Sequence, residues 1–106
     1  MRRYDKYVIL HYIVENVTIE SIEHIKNNMD IDEYQIVVVD NASPNQSYSI
    51  LEKRYKNDER VALIHNEYNL GFTRGNNVGI KYAIENYSVE KKSGVNTLWV
   101  ERELYV

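Results

Sequence analysis

A carboxylate at the end of a buried strand is the first group in this sequence placed to meet a ligand. Asp40 closes the segment YQIVVVD, directly after Val37, Val38 and Val39. An acceptor-only group delivered there can take hydrogen bonds from a base N–H or a ribose hydroxyl. The same residue opens Asp40-Asn41-Ala42-Ser43, and Asp and Asn are also turn formers, so turn capping stands beside ligand contact as a reading. A second feature is the loop and helix start from Asn69 to Gly79, N-L-G-F-T-R-G-N-N-V-G. Glycines, a helix N-terminus and Arg74 could cradle a phosphate through backbone N–H groups and the helix dipole. The competing reading is packing. Gly75, Gly79 and Ala83 recur every four residues, a strip with almost no side chain that lets a helix backbone approach a sheet or a ligand closely.

Groups of this kind need a scaffold that brings strand ends together. Tyr7 to Tyr12 (YVILHY) is a nearly continuous apolar run, as expected of a strand buried on both faces. Ile19, Ile22, Ile25 and Met29 recur at three and four residues, which predicts a helix from about Asn16 to Asn28. Tyr34 to Asp40 is the strongest strand, β-branched through its centre. Ser43-Pro44-Asn45-Gln46 predicts the start of a second helix, with Ser and Gln spaced as a capping box and Pro44 at the first helical position; Ser47 is a rival cap. Val61 to His65 reads as a third strand, Thr73 to Tyr87 as a third helix, and Asn96 to Val100 as a fourth strand.

Alternation of strand and helix with short connections predicts an α/β fold, a parallel sheet with helices on both faces. Ligands of such sheets bind beyond the carboxyl ends of the strands. The positions to examine are then His11-Tyr12, Asp40 to Ser43, His65-Asn66 and Glu101-Arg102-Glu103. A dehydrogenase-type dinucleotide site is not expected, since the residues after the first strand, His11-Tyr12-Ile13-Val14-Glu15-Asn16, contain no Gly-x-Gly-x-x-Gly.

V-V-V-D-N-A-S (Val37 to Ser43), followed some thirty residues on by N-L-G-F-T-R-G-N-N-V-G-I (Asn69 to Ile80), resembles family 2 glycosyltransferases. The likeness is closest to the rhamnosyltransferase-like branch acting on cell-surface polysaccharides. Val8 to Tyr12 resembles the first strand of that family, with His11 where an Asn is usual, and the resemblance runs from about Tyr7 to Tyr87. It implies a GT-A (Rossmann-like) fold whose first half binds a nucleotide-diphosphate sugar for transfer to a glycan or lipid-linked acceptor. By matching position it implies His11 and Tyr12 beside the nucleoside, and Asp40 bonded to base or ribose with Asn41 and Ser43 in the same loop. Asn69, Gly71, Arg74 and Asn77 would line the nucleotide and diphosphate side.

The family also implies a divalent metal, Mg or Mn, held by an Asp-x-Asp motif after the fourth strand. Here Leu98-Trp99-Val100 runs into Glu101-Arg102-Glu103, so Glu101 and Glu103 are the candidate ligands, with Arg102 between them opposing a cation. A solvated charged tail is the other reading of this segment. Residues 88–106 depart from the family pattern, and the acceptor site and general base would follow Val106. We therefore expect residues 1–106 to form the donor-binding half of a longer transferase, incomplete as a catalyst alone. A non-catalytic nucleotide-binding or dimerisation module is the alternative, and an exposed sheet edge would suit a homodimer.

Composition narrows the partners. The 13 Lys and Arg residues are offset by 16 Asp and Glu and form no long cluster, so a nucleic-acid footprint is not expected. Cysteine is absent, which excludes disulfides and thiolate metal sites. The apolar run from Val8 to Val14 is broken by His11 and followed by Glu15, unlike a secretory signal, and no run approaches the length of a membrane span. A cytoplasmic setting is expected, with membrane association of the longer protein left open.

Overall fold

The computed structural model describes residues 5–28, 34–91 and 99–105; for Asp5, 86–91 and 99–105 the description is of the backbone alone. The chain runs β1 (Asp5–His11), α1 (Glu15–Asn28), β2 (Tyr34–Asp40), α2 (Ser47–Tyr55), β3 (Val61–His65), α3 (Gly71–Lys91) and β4 (Trp99–Tyr105). The sheet has four strands in the order β3-β2-β1-β4, with every pairing parallel. The chain steps outward from β1 to β3 and then crosses back to the far side of β1. A change of direction of this kind opens a crevice at the strand carboxyl ends.

Side chains alternate across this sheet, and the alternation sorts the core into two layers. Tyr7, Ile9, Ile36, Val38 and Val61 face Ile22 and Ile25 of α1 and Leu51 and Tyr55 of α2. Leu10, Val37 and Val39 face Ala83 of α3, with Ala62, Ile64, Val78 and Tyr82 packed around them. Helices therefore cover both faces, which is why β1 and β2 carry nearly unbroken apolar sequences. Every residue of β2 is buried.

The small-residue strip is a packing device. A Cβ on Gly79 would lie 2.6 Å from Val8 Cγ1 and 2.9 Å from Val39 Cγ2, and one on Gly75 would lie 2.8 Å from Leu10 Cδ1. With no side chain at either position, α3 lies directly on β1 and β2.

Several boundaries differ from expectation: β1 is Asp5–His11 rather than Tyr7 to Tyr12, and α3 is Gly71–Lys91 rather than Thr73 to Tyr87. α2 begins at Ser47 rather than at Pro44; Gln46 before it makes no side-chain cap, and the Ser47 N–H bonds instead to Asn45 Oδ1 at 3.2 Å. Ser43 spends its hydroxyl elsewhere, accepting from the backbone N–H of Ile13 at 2.8 Å and donating to Asp40 Oδ1 at 2.6 Å. The fourth strand ends at Tyr105 rather than Val100, so Glu101-Arg102-Glu103 lies inside it. Of the expected start of that strand, 96–98 lie outside the described residues.

Candidate functional site

Register puts three polar residues in one row at the carboxyl end of the sheet. His11 is the partner of Asp40, and Asp40 is the partner of His65, across β1, β2 and β3. Equivalent positions in a parallel sheet share a face. The row continues the α1/α2 layer, where the apolar core ends.

Asp40 is fully buried, yet it is surrounded by donors. Oδ1 accepts from Ser43 Oγ at 2.6 Å and from the Ser43 backbone N–H at 3.4 Å, while Oδ2 lies 2.7 Å from His65 Nδ1. The turn reading of Asp40 is thus realised, and Ala42 within that turn has a positive φ of 63°. Since a carboxylate bonded by Ser43 acts as acceptor, Nδ1 of His65 carries the proton and donates. His65 itself is half exposed, and its ring stacks on Tyr48 with centroids 4.4 Å apart. Burial raises the Tyr48 hydroxyl above its usual pKa, with the Glu52 and Asp40 charges adding to the effect.

His11 occupies the interior, where the resemblance had placed it beside a nucleoside. It is fully buried, with Nδ1 2.6 Å from Thr18 Oγ1 and Nε2 2.9 Å from Ser47 Oγ. Ser47 already donates its hydroxyl proton to Asn45 Oδ1 at 2.7 Å. Nε2 must therefore donate to Ser47, and Nδ1 must accept from Thr18, which is the neutral ring. Burial lowers the His11 pKa in agreement, against the Asp40 and Glu15 charges that would raise it. Asp40 Oδ1 lies 3.8 Å from Nε2, beyond hydrogen-bond distance. His11 joins β1 to the first turns of α1 and α2.

The segment after β1 is held in an unusual shape. Val14 N–H bonds to Tyr12 O at 2.8 Å across Ile13, whose φ is 70°. This is a γ-turn with positive φ, a strained form and rarer still at a β-branched residue. Ser43 Oγ takes the Ile13 N–H, and Asn45 Nδ2 donates to the Ile13 carbonyl at 2.8 Å, so the residues after β2 hold it in place. Tyr12, Ile13 and Val14 are left partly exposed at the rim.

Asn41 closes the other side. Its Nδ2 donates to Asn69 Oδ1 at 3.0 Å and to Gly71 O at 3.2 Å. Its Oδ1 accepts from Asn66 Nδ2 at 3.3 Å and from Leu70 N–H at 3.0 Å. Asn69 Oδ1 also receives the Gly71 N–H at 2.8 Å, and Gly71 has a φ of 81°. Asn41 and Asn69 thus shape the loop before α3, while Arg74 and Asn77 stand exposed on its first turns. Asn76, absent from the sequence-based site, is buried with its Nδ2 on Phe72 O and its Oδ1 without a partner. Its neighbour Asn77 carries the same chemistry in the sequence, and only helix phase separates the buried one from the exposed one.

Glu101 and Glu103 do not stand at this edge along the backbone. Arg102 pairs with Tyr7 and Glu103 with Val8, three positions short of His11, because β4 continues to Tyr105. Their side chains lie outside the described residues. Among the described residues no three His, Cys, Asp or Glu side chains are arranged to hold a metal ion.

A shallow groove of about 680 Å³ lies at the opposite end of the sheet, lined in part by Lys26, Tyr34, Arg54, Asp58 and Arg60. Two of its cations are engaged: Lys26 pairs with Asp58, and the Arg60 guanidinium sits 4.3 Å over the Tyr34 ring. It opens at the amino ends of β2 and β3, away from the ligand edge of a parallel sheet.

Glycosyl transferase family 2 matches residues 7–89. A Haemophilus influenzae protein described as an uncharacterized glycosyltransferase is 34% identical over 73 residues, which is 69% of this chain and 22% of that protein. The chain thus spans under a quarter of the length of that relative. With the family model covering both motifs and β1 to α3, this chain belongs to glycosyl transferase family 2.

Proposed function

We propose that this chain forms the donor-nucleotide side of a glycosyltransferase that moves a sugar from a nucleotide-diphosphate donor to a glycan or lipid-linked acceptor. The rhamnosyltransferase-like, polysaccharide-building branch in a cytoplasmic setting is the reading we favour. The observation that carries it is the fastening of three loops around one edge, by Ser43, Asn45 and Asn41, beside the buried carboxylate of Asp40. Such prebuilt rims fix a bound group without an ordering cost at binding. In this reading Tyr12 offers an aromatic face to the nucleoside, and Arg74 and Asn77 approach the diphosphate from the start of α3. His11, Asn41, Ser43, Asn69 and Gly71 act by holding the rim rather than by touching the ligand. No helix among the described residues is long and apolar enough to cross a membrane.

The family's divalent metal finds no matching donor set among the described residues, and we route no step through one. β3 pairs only with β2 among the described strands, so a homodimer through that edge fits the same sheet. Calorimetric titration of UDP and dTDP, with and without manganese, tests the donor reading. We expect one nucleotide to bind, with binding weakened by Asp40→Ala. Binding of neither would sink the donor reading and leave a module that kept the fold without the nucleotide.

A further inference from the structure

Asp40 is sealed from solvent, and one of its oxygens is covered by the His65 ring. A ligand arriving at this edge meets His65 before it meets the carboxylate. Because Nδ1 donates to Asp40, Nε2 is the ring nitrogen left for a ligand, and in the neutral ring it is an acceptor. The half-exposed ring is held on one side by the Tyr48 stack and on the other by the charge-assisted bond to Asp40.

Resting on the nucleotide-binding reading above, we propose that His65 is the residue that reads the base, with Nε2 accepting a ring N–H. Uracil and thymine carry such a proton at N3 and guanine at N1, whereas cytosine and adenine present a bare acceptor at the equivalent atom. Two facing acceptors leave a lone pair unsatisfied, so this site selects a base with an N–H there. Asp40 is then a positioning residue that fixes the tautomer and aim of His65.

The test compares UDP with CDP on the chain as it stands. The wild type binds UDP about tenfold more tightly than CDP, the scale of one hydrogen bond made against one lost. His65→Phe, which keeps a ring against Tyr48, reduces the ratio to near unity, and His65→Gln, which keeps an acceptor, restores part of it. Long-range ¹⁵N spectra of the wild type show an unprotonated Nε2 that shifts on adding UDP, a signal independent of how the variants fold. Equal binding of UDP and CDP, or a ratio unchanged in His65→Phe, overturns this inference and leaves nucleotide binding in place. Failure of every nucleotide to bind overturns both.

Discussion

Asn41 at the end of β2 reaches Asn69 across the loop before α3, Nδ2 to Oδ1 at 3.0 Å, and by the same amide it also holds Gly71 O and the Leu70 N–H. Local sequence offers no substitute for these bonds. Asn41→Ala is expected to lower stability by about 2–3 kcal/mol, because buried partners are left unmatched. Asn41→Asp turns the donor into a carboxylate facing Asn69 Oδ1 and Gly71 O, and should cost at least as much. Urea unfolding, read as a midpoint shift at constant slope, measures both.

Gly79 is the tightest point between α3 and the sheet. Gly79→Ala brings a methyl to 2.6 Å from Val8 Cγ1, inside a core that cannot yield freely. The gain in helix propensity is about 1 kcal/mol, and overpacking costs about 1–3 kcal/mol, so net destabilisation is expected. Adding Val8→Ala opens the space and should make the pair less damaging than the sum of its members. A double-mutant cycle that comes out additive would contradict this contact.

Neutral His11 makes stability depend on acid. Its folded pKa lies below the ordinary 6.5 because burial disfavours the charged ring. The unfolded chain therefore binds more protons in the window between the lowered value and 6.5, and stability falls as pH is lowered through it. His11→Gln should flatten that part of the profile. Unfolding midpoints between pH 7.5 and pH 5, compared for the two proteins, show whether it does.

At the other end of the chemistry, Tyr55 donates to Glu23 Oε2 at 2.7 Å and is pushed up to about 12 by burial and by that bond. Its contribution is complete below pH 10, where the unfolded phenol begins to ionise, and fades as pH rises toward 12. Of the ten tyrosines, this one should ionise among the last in a spectrophotometric alkaline titration. Tyr55→Phe should cost about 1 kcal/mol at neutral pH.

Much of the scaffold is legible because β1, β2 and β3 carry apolar runs and α1 a three-and-four stripe, whereas β4 holds Glu101-Arg102-Glu103 at its centre. Tyr34–Asp40 was readable to the residue, since seven buried positions leave no polar alternation to blur its ends. The α2 start was not, because Ser43 looks like a cap locally and is used instead by Ile13 and Asp40 from outside its own segment. The site shows the same division. Asp40 and His65 both stand out in the sequence as strand-end residues, but their pairing comes from register, which one sequence does not reveal. His11 is expected beside a ligand from its place in the chain; its inward ring depends on Thr18 in the next helix and on Ser47, which is distant in sequence.

The strained turn at Ile13 has a consequence for how the rim behaves. Its N–H and C=O are both gripped by side chains from the crossover after β2, so two connections that differ in sequence share one hinge. Neither can swing alone. Loosening Asn45 or Ser43 should release the neighbouring loop along with their own, and opening of this edge would then be a single concerted event rather than two independent ones.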